Sequence, residues 1–174
     1  MAPLRLQDAH LHLQSPRLMD ECDVILRQAQ EAGVTKMVVN GTCPSDWDEV
    51  SELARRFPEI VTPSFGLHPW KTPEIKDGWQ DLLKQKLDSH PNACIGECGL
   101  DLWMSDLDKQ TQEDAFIFQL NLASERNIPI SIHILKAWGW MIDVLGKTPT
   151  PARGFLLHSY GGSTEMAKQL VNYG

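Results

Sequence analysis

Short apolar runs and stretches of helical spacing alternate along this chain from one end to the other. Leu4, Leu6, Asp8, His10 and His12 share one parity, so a strand there turns all five to one side. Ser15-Pro16, a capping residue followed by an early Pro, predicts a helix start, and the helix runs through MDECDVILRQAQEA to Gly33. KMVVNG (36–41) is a second strand, and Pro44-Ser45 opens a second helix, DWDEVSELARRF, that stops at Pro58. IVTPSFG (60–66) is a third strand with Pro63 as an irregularity, followed by the helix GWQDLLKQKLDSH (78–90), which Pro91 ends. NACIGECG (92–99) is a fourth strand, and KQTQEDAFIFQLNLASERN (109–127) a long amphipathic helix. Pro129 to His133 and Gly154 to His158 are the fifth and sixth strands, followed by helices at 137–146 and 163–173.

Six β-then-α units in a row predict a parallel sheet with its helices outside. Two closures compete: an open doubly wound sheet, and a barrel of the (β/α)8 type, which needs eight units and typically ~250 residues. The polar residues at the strand ends separate them. His12, Glu97, His133 and His158 each sit at the end of a different apolar run. In a barrel, residues at the C-terminal strand ends converge on one axial point, whereas in an open sheet strands one and five lie far apart. The expected fold class is therefore α/β of the (β/α)8 TIM-barrel type with about six βα units present. Residues 1–174 would then form one domain without its last two units.

Composition narrows the function. At 174 residues the chain can bury a sizeable core, roughly 70% of its unfolded surface. Its net charge of −7 argues against nonspecific coating of nucleic acid, which runs on Lys and Arg, without excluding an enzyme that grips one phosphodiester. The N-terminus lacks a signal-peptide apolar core, and no stretch approaches the ~20 apolar residues of a membrane span, so a cytoplasmic location is expected. Cys22, Cys43, Cys94 and Cys98 show no CxxC spacing and read as reduced thiols.

Four histidines and one carboxylate delivered from separate strand ends are what a two-metal hydrolytic centre requires. His10, His12, Glu97, His133 and His158 are the candidate metal ligands. An unpaired carboxylate in the apolar run around Glu97 is costly, so a metal or a cation beside it is close to required. Imidazole-rich ligation suits Zn2+ or Mn2+ better than Mg2+, and the identity of two divalent ions stays open. Hydrogen-bonded sheet histidines are the alternative for His10 and His12. His68, in Gly-Leu-His-Pro after the third strand, joins Glu97 as a candidate catalytic residue in contact with substrate phosphate or with groups behind the ligands; turn packing is the alternative. Asp8 and Asp101 read as supports for a loop or a ligand, and His90 as a solvated helix end. Trp70, Trp103 and Trp138 follow strand ends, where they can stack bases or pack loops. Lys71, Lys136 and Ser159 are candidates for phosphate contact.

The blocks DAHLHL, GLHPW, IGECGLD, ISIHILKAWG and GFLLHSYGG resemble, in order and spacing, the signature blocks of TatD-type metal-dependent deoxyribonucleases, which are amidohydrolase-like TIM barrels. The resemblance runs from about Leu6 to Gly174. It implies that His10 and His12 hold one metal, that Glu97 bridges, that His133 and His158 hold the second, and that DNA is the substrate, with no stable protein partner. The family's late Asp, after Ser/Thr and two positions before Pro, has no counterpart here. Lys136 stands near where an Arg is common after the strand-five His. An amidohydrolase acting on C–N or ester bonds is the alternative enzyme, but such enzymes often bridge their metals with a modified Lys on strand four, where this chain offers Glu97. A non-catalytic metal-binding fragment is the alternative outside enzymes.

Overall fold

The computed structural model describes residues 5–174. Six strands alternate with six helices: β1 Leu6–Leu11, α1 Cys22–Glu31, β2 Val34–Asn40, α2 Trp47–Arg56, β3 Val61–Phe65, α3 Trp79–Ser89, β4 Cys94–Asp101, α4 Lys109–Arg126, β5 Ile130–Leu135, α5 Trp138–Leu145, β6 Phe155–Leu157 and α6 Thr164–Leu170. All five strand pairings are parallel and the spatial order is the chain order, β1 to β6. Among the described residues β1 pairs only with β2, and β6 only with β5.

The sheet is strongly curled. Laid flat, five interstrand spacings would put β1 and β6 roughly 24 Å apart. Instead the ring of His10, on β1, stacks on that of His158, just past β6, with centroids 3.9 Å apart and planes at 3°. This curvature is that of a barrel wall, and it brings the strand ends around one point. The outer faces of the strands and the inner stripes of the helices build one core that includes Trp47, Phe65, Phe116, Ile95 and Ile132, all fully buried. No helix among the described residues is long and apolar enough to cross a membrane.

The predicted elements are all present, with shifted boundaries. The first helix starts later than Ser15-Pro16 predicts. Residues 13–18 turn instead, with the Ser15 carbonyl accepting from the amides of Leu18 and Met19, and a 3-10 turn at Met19–Glu21 leads into α1. The stripe that packs on the sheet begins at Cys22 and Leu26, so packing overrides the capping signal there. Gly33, at φ +95°, ends α1 as its spacing predicts. A 3-10 turn at Pro69–Glu74, which the sequence pattern does not announce, follows β3 and is capped by His68. Strand β4 extends to Asp101, two residues beyond its expected end, so that Asp101 belongs to the strand. Leu4 lies outside the described residues. Leu6 and Asp8 are exposed, and the β1–β2 register shifts after both, so the shared parity buries only the end of the strand.

Helix α4 shows only a weak amphipathic pattern because its buried face carries two glutamines, Gln112 and Gln119. They are seven residues apart and so share a face. Gln119 accepts from the Leu67 amide (2.8 Å) and donates to the Leu67 carbonyl (3.2 Å). Gln112 does the same for Asp101, at 2.9 and 3.1 Å. One helix thus fixes the backbone beyond β3 and at the end of β4, the two places from which His68 and Asp101 enter the candidate site.

Candidate metal centre

Glu97 is the hub of the strand-end cluster. It is 3% exposed, and five imidazoles surround its carboxylate in two sets. Oε2 faces His12 Nε2 at 2.9 Å and His10 Nε2 at 3.3 Å. Oε1 faces His158 Nε2 at 2.6 Å, His133 Nδ1 at 3.2 Å and His68 Nε2 at 3.3 Å. Nitrogen and oxygen atoms of His10, His12 and Glu97 lie close enough together to hold one ion, and so do those of His68, Glu97 and His133.

The far side of most rings is held as well. His12 Nδ1 donates to the Asn40 carbonyl (2.7 Å), so in the neutral ring Nε2 carries the lone pair, and in the protonated ring it donates to Glu97. His10 Nδ1 meets Ser131 Oγ at 2.7 Å. His133 Nε2 meets Asp101 Oδ2 at 2.8 Å. His68 is the opposite case. Its Nδ1 accepts from the Trp70 amide (3.1 Å), so in the neutral ring the proton sits on Nε2, and His68 offers Glu97 a donor rather than a lone pair.

The titration of these groups follows from that packing. Burial alone would push the Glu97 carboxyl up, but hydrogen bonds from His10, His12, His133 and His158 outweigh it and hold the group far below the usual carboxylate range. The hydrogen bond to Glu97 raises His12 above an ordinary imidazole. For His133, burial works downward, yet Glu97 and Asp101 together raise it. His68 goes the other way: burial dominates and lowers it, favouring the neutral ring. Burial also pushes the Cys94 and Cys98 thiols up, and all four cysteines are free.

The cluster opens into a pocket of about 370 Å³ whose walls include Thr42, Trp70 and Lys71. The Trp70 indole is 44% exposed at the mouth, and Lys71 pairs with Glu74 (2.8 Å) beside it. Trp103 is exposed on the loop after β4, and Trp138 packs edge-on against Tyr160. Trp47 and Trp79 are core residues. His90 is not part of the cluster: its ring packs on that of Phe65, with a ring nitrogen on the Lys86 carbonyl. Asp8 accepts from the His10 amide and stays exposed. Asn40, Ser131, Gln112 and Gln119 escape sequence reasoning, and Asn40 meets His12 through its backbone carbonyl, which any residue there would supply.

A parallel sheet curled so that its strand ends ring one buried carboxylate with imidazoles is the build of the metal-dependent hydrolase class of α/β barrels. The chain belongs to the TatD related DNase family, whose model matches residues 7–174. It is 30% identical over 156 residues to a 3'-5' ssDNA/RNA exonuclease TatD of Erwinia tasmaniensis, covering 90% of this chain and 60% of the relative. It is 28% identical over 172 residues to YjjV of Escherichia coli K12, described as an uncharacterized metal-dependent hydrolase, covering 98% of this chain and 66% of the relative. The crystal structure of that YjjV superposes with a TM-score of 0.90, covering 98% of this chain and 66% of that one. A TatD family hydrolase from Entamoeba histolytica, 20% identical and covering 100% of this chain and 64% of its own, shares the fold with a TM-score of 0.85. The chain spans about three-fifths of the length of the exonucleases it matches.

Proposed function

We propose that this chain carries the metal centre of a phosphodiesterase acting on single-stranded nucleic acid, with DNA as its main substrate. The observation that carries this reading is the division of imidazoles between the two oxygens of Glu97: His10 and His12 on Oε2, His133 and His158 on Oε1. A carboxylate so divided fits two divalent cations, one per oxygen, and the donor set fits them chemically. Imidazole lone pairs that face an anion need either protons or metal, and the neutral His12 ring turns its lone pair inward. The names of the exonuclease relatives support nucleic acid as the substrate class.

In this reading His10 and His12 would hold one cation and His133 and His158 the other, with Glu97 between the two pairs. The nitrogen-rich set favours Mn2+ or Zn2+ over Mg2+. When bound, such cations polarise a phosphoryl oxygen and make water beside them more acidic. The chain's own groups do the rest. Glu97 keeps the two histidine pairs apart. His68, neutral and with its proton on Nε2 beside Glu97, is the donor that would turn from that carboxylate to an oxygen of the reacting phosphate. Trp70 and Lys71 line the approach, an aromatic face and a cation suited to a base and a phosphate.

The test is cleavage of an end-labelled single-stranded oligodeoxynucleotide with Mn2+, Zn2+ or Mg2+ supplied in turn. Cleavage that EDTA abolishes and that is lost in His133→Ala and Glu97→Gln is the expected result. A protein that binds the metals but hydrolyses no DNA, RNA or simple phosphodiester overturns the reading.

A further inference from the structure

Asp101 has more partners than any other side chain of the cluster except Glu97. It is fully buried. Its Oδ2 receives His133 Nε2 at 2.8 Å and the Trp70 indole Nε1 at 2.7 Å. Its Oδ1 receives the backbone amides of Trp103 at 2.6 Å and Met104 at 3.2 Å. Its own amide and carbonyl are clamped by Gln112. A carboxylate that accepts four donors without solvent has no freedom to turn. The ring of His133 is therefore tied at Nε2, and the opposite nitrogen, Nδ1, is the one that faces Glu97. The same oxygen that ties His133 also ties the indole at the pocket mouth.

We propose that Asp101 is a positioning residue with two arms: it fixes the Nε2–H tautomer of His133, presenting Nδ1 as a lone pair to the metal centre, and it holds the Trp70 indole as one wall of the entrance. This inference rests on the reading of His133 as a metal ligand. Through Asp101, occupancy of the metal centre and the placement of the indole are coupled, so Trp70 reports on metal binding although it holds no metal itself.

Asp101→Asn keeps the size of the side chain and replaces one acceptor by a donor. If the remaining oxygen keeps the Trp103 and Met104 amides, the new NH2 group faces His133 Nε2 and the indole N–H. His133 must then accept at Nε2 and carry its proton on Nδ1, the wrong nitrogen for a ligand. Loss of such an orienting partner lowers metal affinity by roughly 10–100-fold.

The decisive experiment is a long-range proton–nitrogen NMR correlation of the imidazole rings in the metal-free full chain. It is recorded at alkaline pH, where imidazoles are neutral, with the His133 signal assigned through His133→Gln. The expected spectrum shows His133 as the Nε2–H tautomer, changed to Nδ1–H in Asp101→Asn. Calorimetric titration with Zn2+ alone should show the corresponding loss of affinity. Indole emission should shift on Zn2+ addition, and that shift should vanish in Trp70→Phe, which keeps the tautomer and most of the affinity. An Nδ1–H tautomer in the unaltered protein overturns the proposal, and so does an unchanged tautomer with unchanged Zn2+ affinity in Asp101→Asn. Should that variant not fold, the unaltered spectrum and Trp70→Phe still decide. A protein with the expected tautomer and Zn2+ binding that cleaves no phosphodiester would sink the nuclease reading and leave the role of Asp101 standing.

Discussion

Gly99 lies on β4 at φ +141°, paired with His133 of β5. A Cβ there would overlap the carbonyl oxygen of His133 and come within 2.9 and 3.0 Å of its backbone carbon and nitrogen. No rotamer relieves this clash, because the neighbour is the backbone of a central strand. Gly99→Ala therefore carries two costs. A side chain in that region of backbone conformation costs about 1–3 kcal/mol, and forcing apart packed strands costs about 1–3 kcal/mol more. The sum is roughly 2–6 kcal/mol, or a drop in Tm of about 4–24 °C for a chain of this size. Two other glycines serve as controls. Gly154 has φ +83° but open space where a Cβ would go, so Gly154→Ala bears only the backbone cost, about 1–2 kcal/mol. Gly139, inside α5, meets nothing within 4 Å, and Gly139→Ala should stabilise by about 0.5–1 kcal/mol. Urea denaturation of the three variants gives the order directly. Gly99→Ala should also weaken Zn2+ binding, because the displaced backbone is that of His133. A Gly99→Ala variant no less stable than Gly154→Ala would refute the packing argument.

Gln119→Leu leaves the buried amide and carbonyl of Leu67 without partners and should cost about 2–4 kcal/mol in urea unfolding, with faster amide exchange at Leu67; an unchanged midpoint would deny the clamp. Ser131→Ala frees the ring of His10 and should lower Zn2+ affinity roughly 10-fold in calorimetry with little change in stability. Folded-state pKa values of His12 and His133 are raised, so in EDTA their stabilisation is complete below the ordinary imidazole value near 6.5 and fades as pH rises through the raised values. Glu97, depressed, adds stability above its ordinary value that is lost only as pH falls toward its folded one, while lowered His68 opposes the other two histidines. The metal-free urea midpoint should thus decline from neutral to alkaline pH, and a rise would contradict these directions. Zn2+ must displace the same protons, so its affinity should increase with pH, with proton release visible as buffer-dependent binding heats.

The order of elements and the residues around Glu97 were legible because both leave local marks. Alternating apolar runs and helical stretches set the six βα units, and a Glu in an apolar strand with a His at the ends of several others is costly unless the groups meet. The convergence of β1 and β6 followed from the same residues, since only a curled sheet lets His10 stack on His158. What stayed hidden depends on distance in the sequence. Gln112 and Gln119 read as ordinary helix residues until the backbones of Asp101 and Leu67 lie against them. Asn40 acts through its carbonyl, which has no sequence signature. Asp101 appeared as a loop or ligand support without its two partners, Trp70 and His133, which are 31 and 32 residues away. The Ser-Pro cap signal points to a helix start ahead of the real one because it is local, while the packed stripe that decides the start begins at Cys22.

The central claim is that the two oxygens of Glu97 each serve one cation. Anomalous diffraction from crystals soaked in Mn2+ tests it most directly. Two peaks are expected roughly 3.5–4 Å apart, one beside Oε2 among His10 and His12, the other beside Oε1 among His133 and His158, with His68 bound to neither. A peak ligated by His68 Nε2, or Mn2+ bound only at sites remote from Glu97, would contradict the claim.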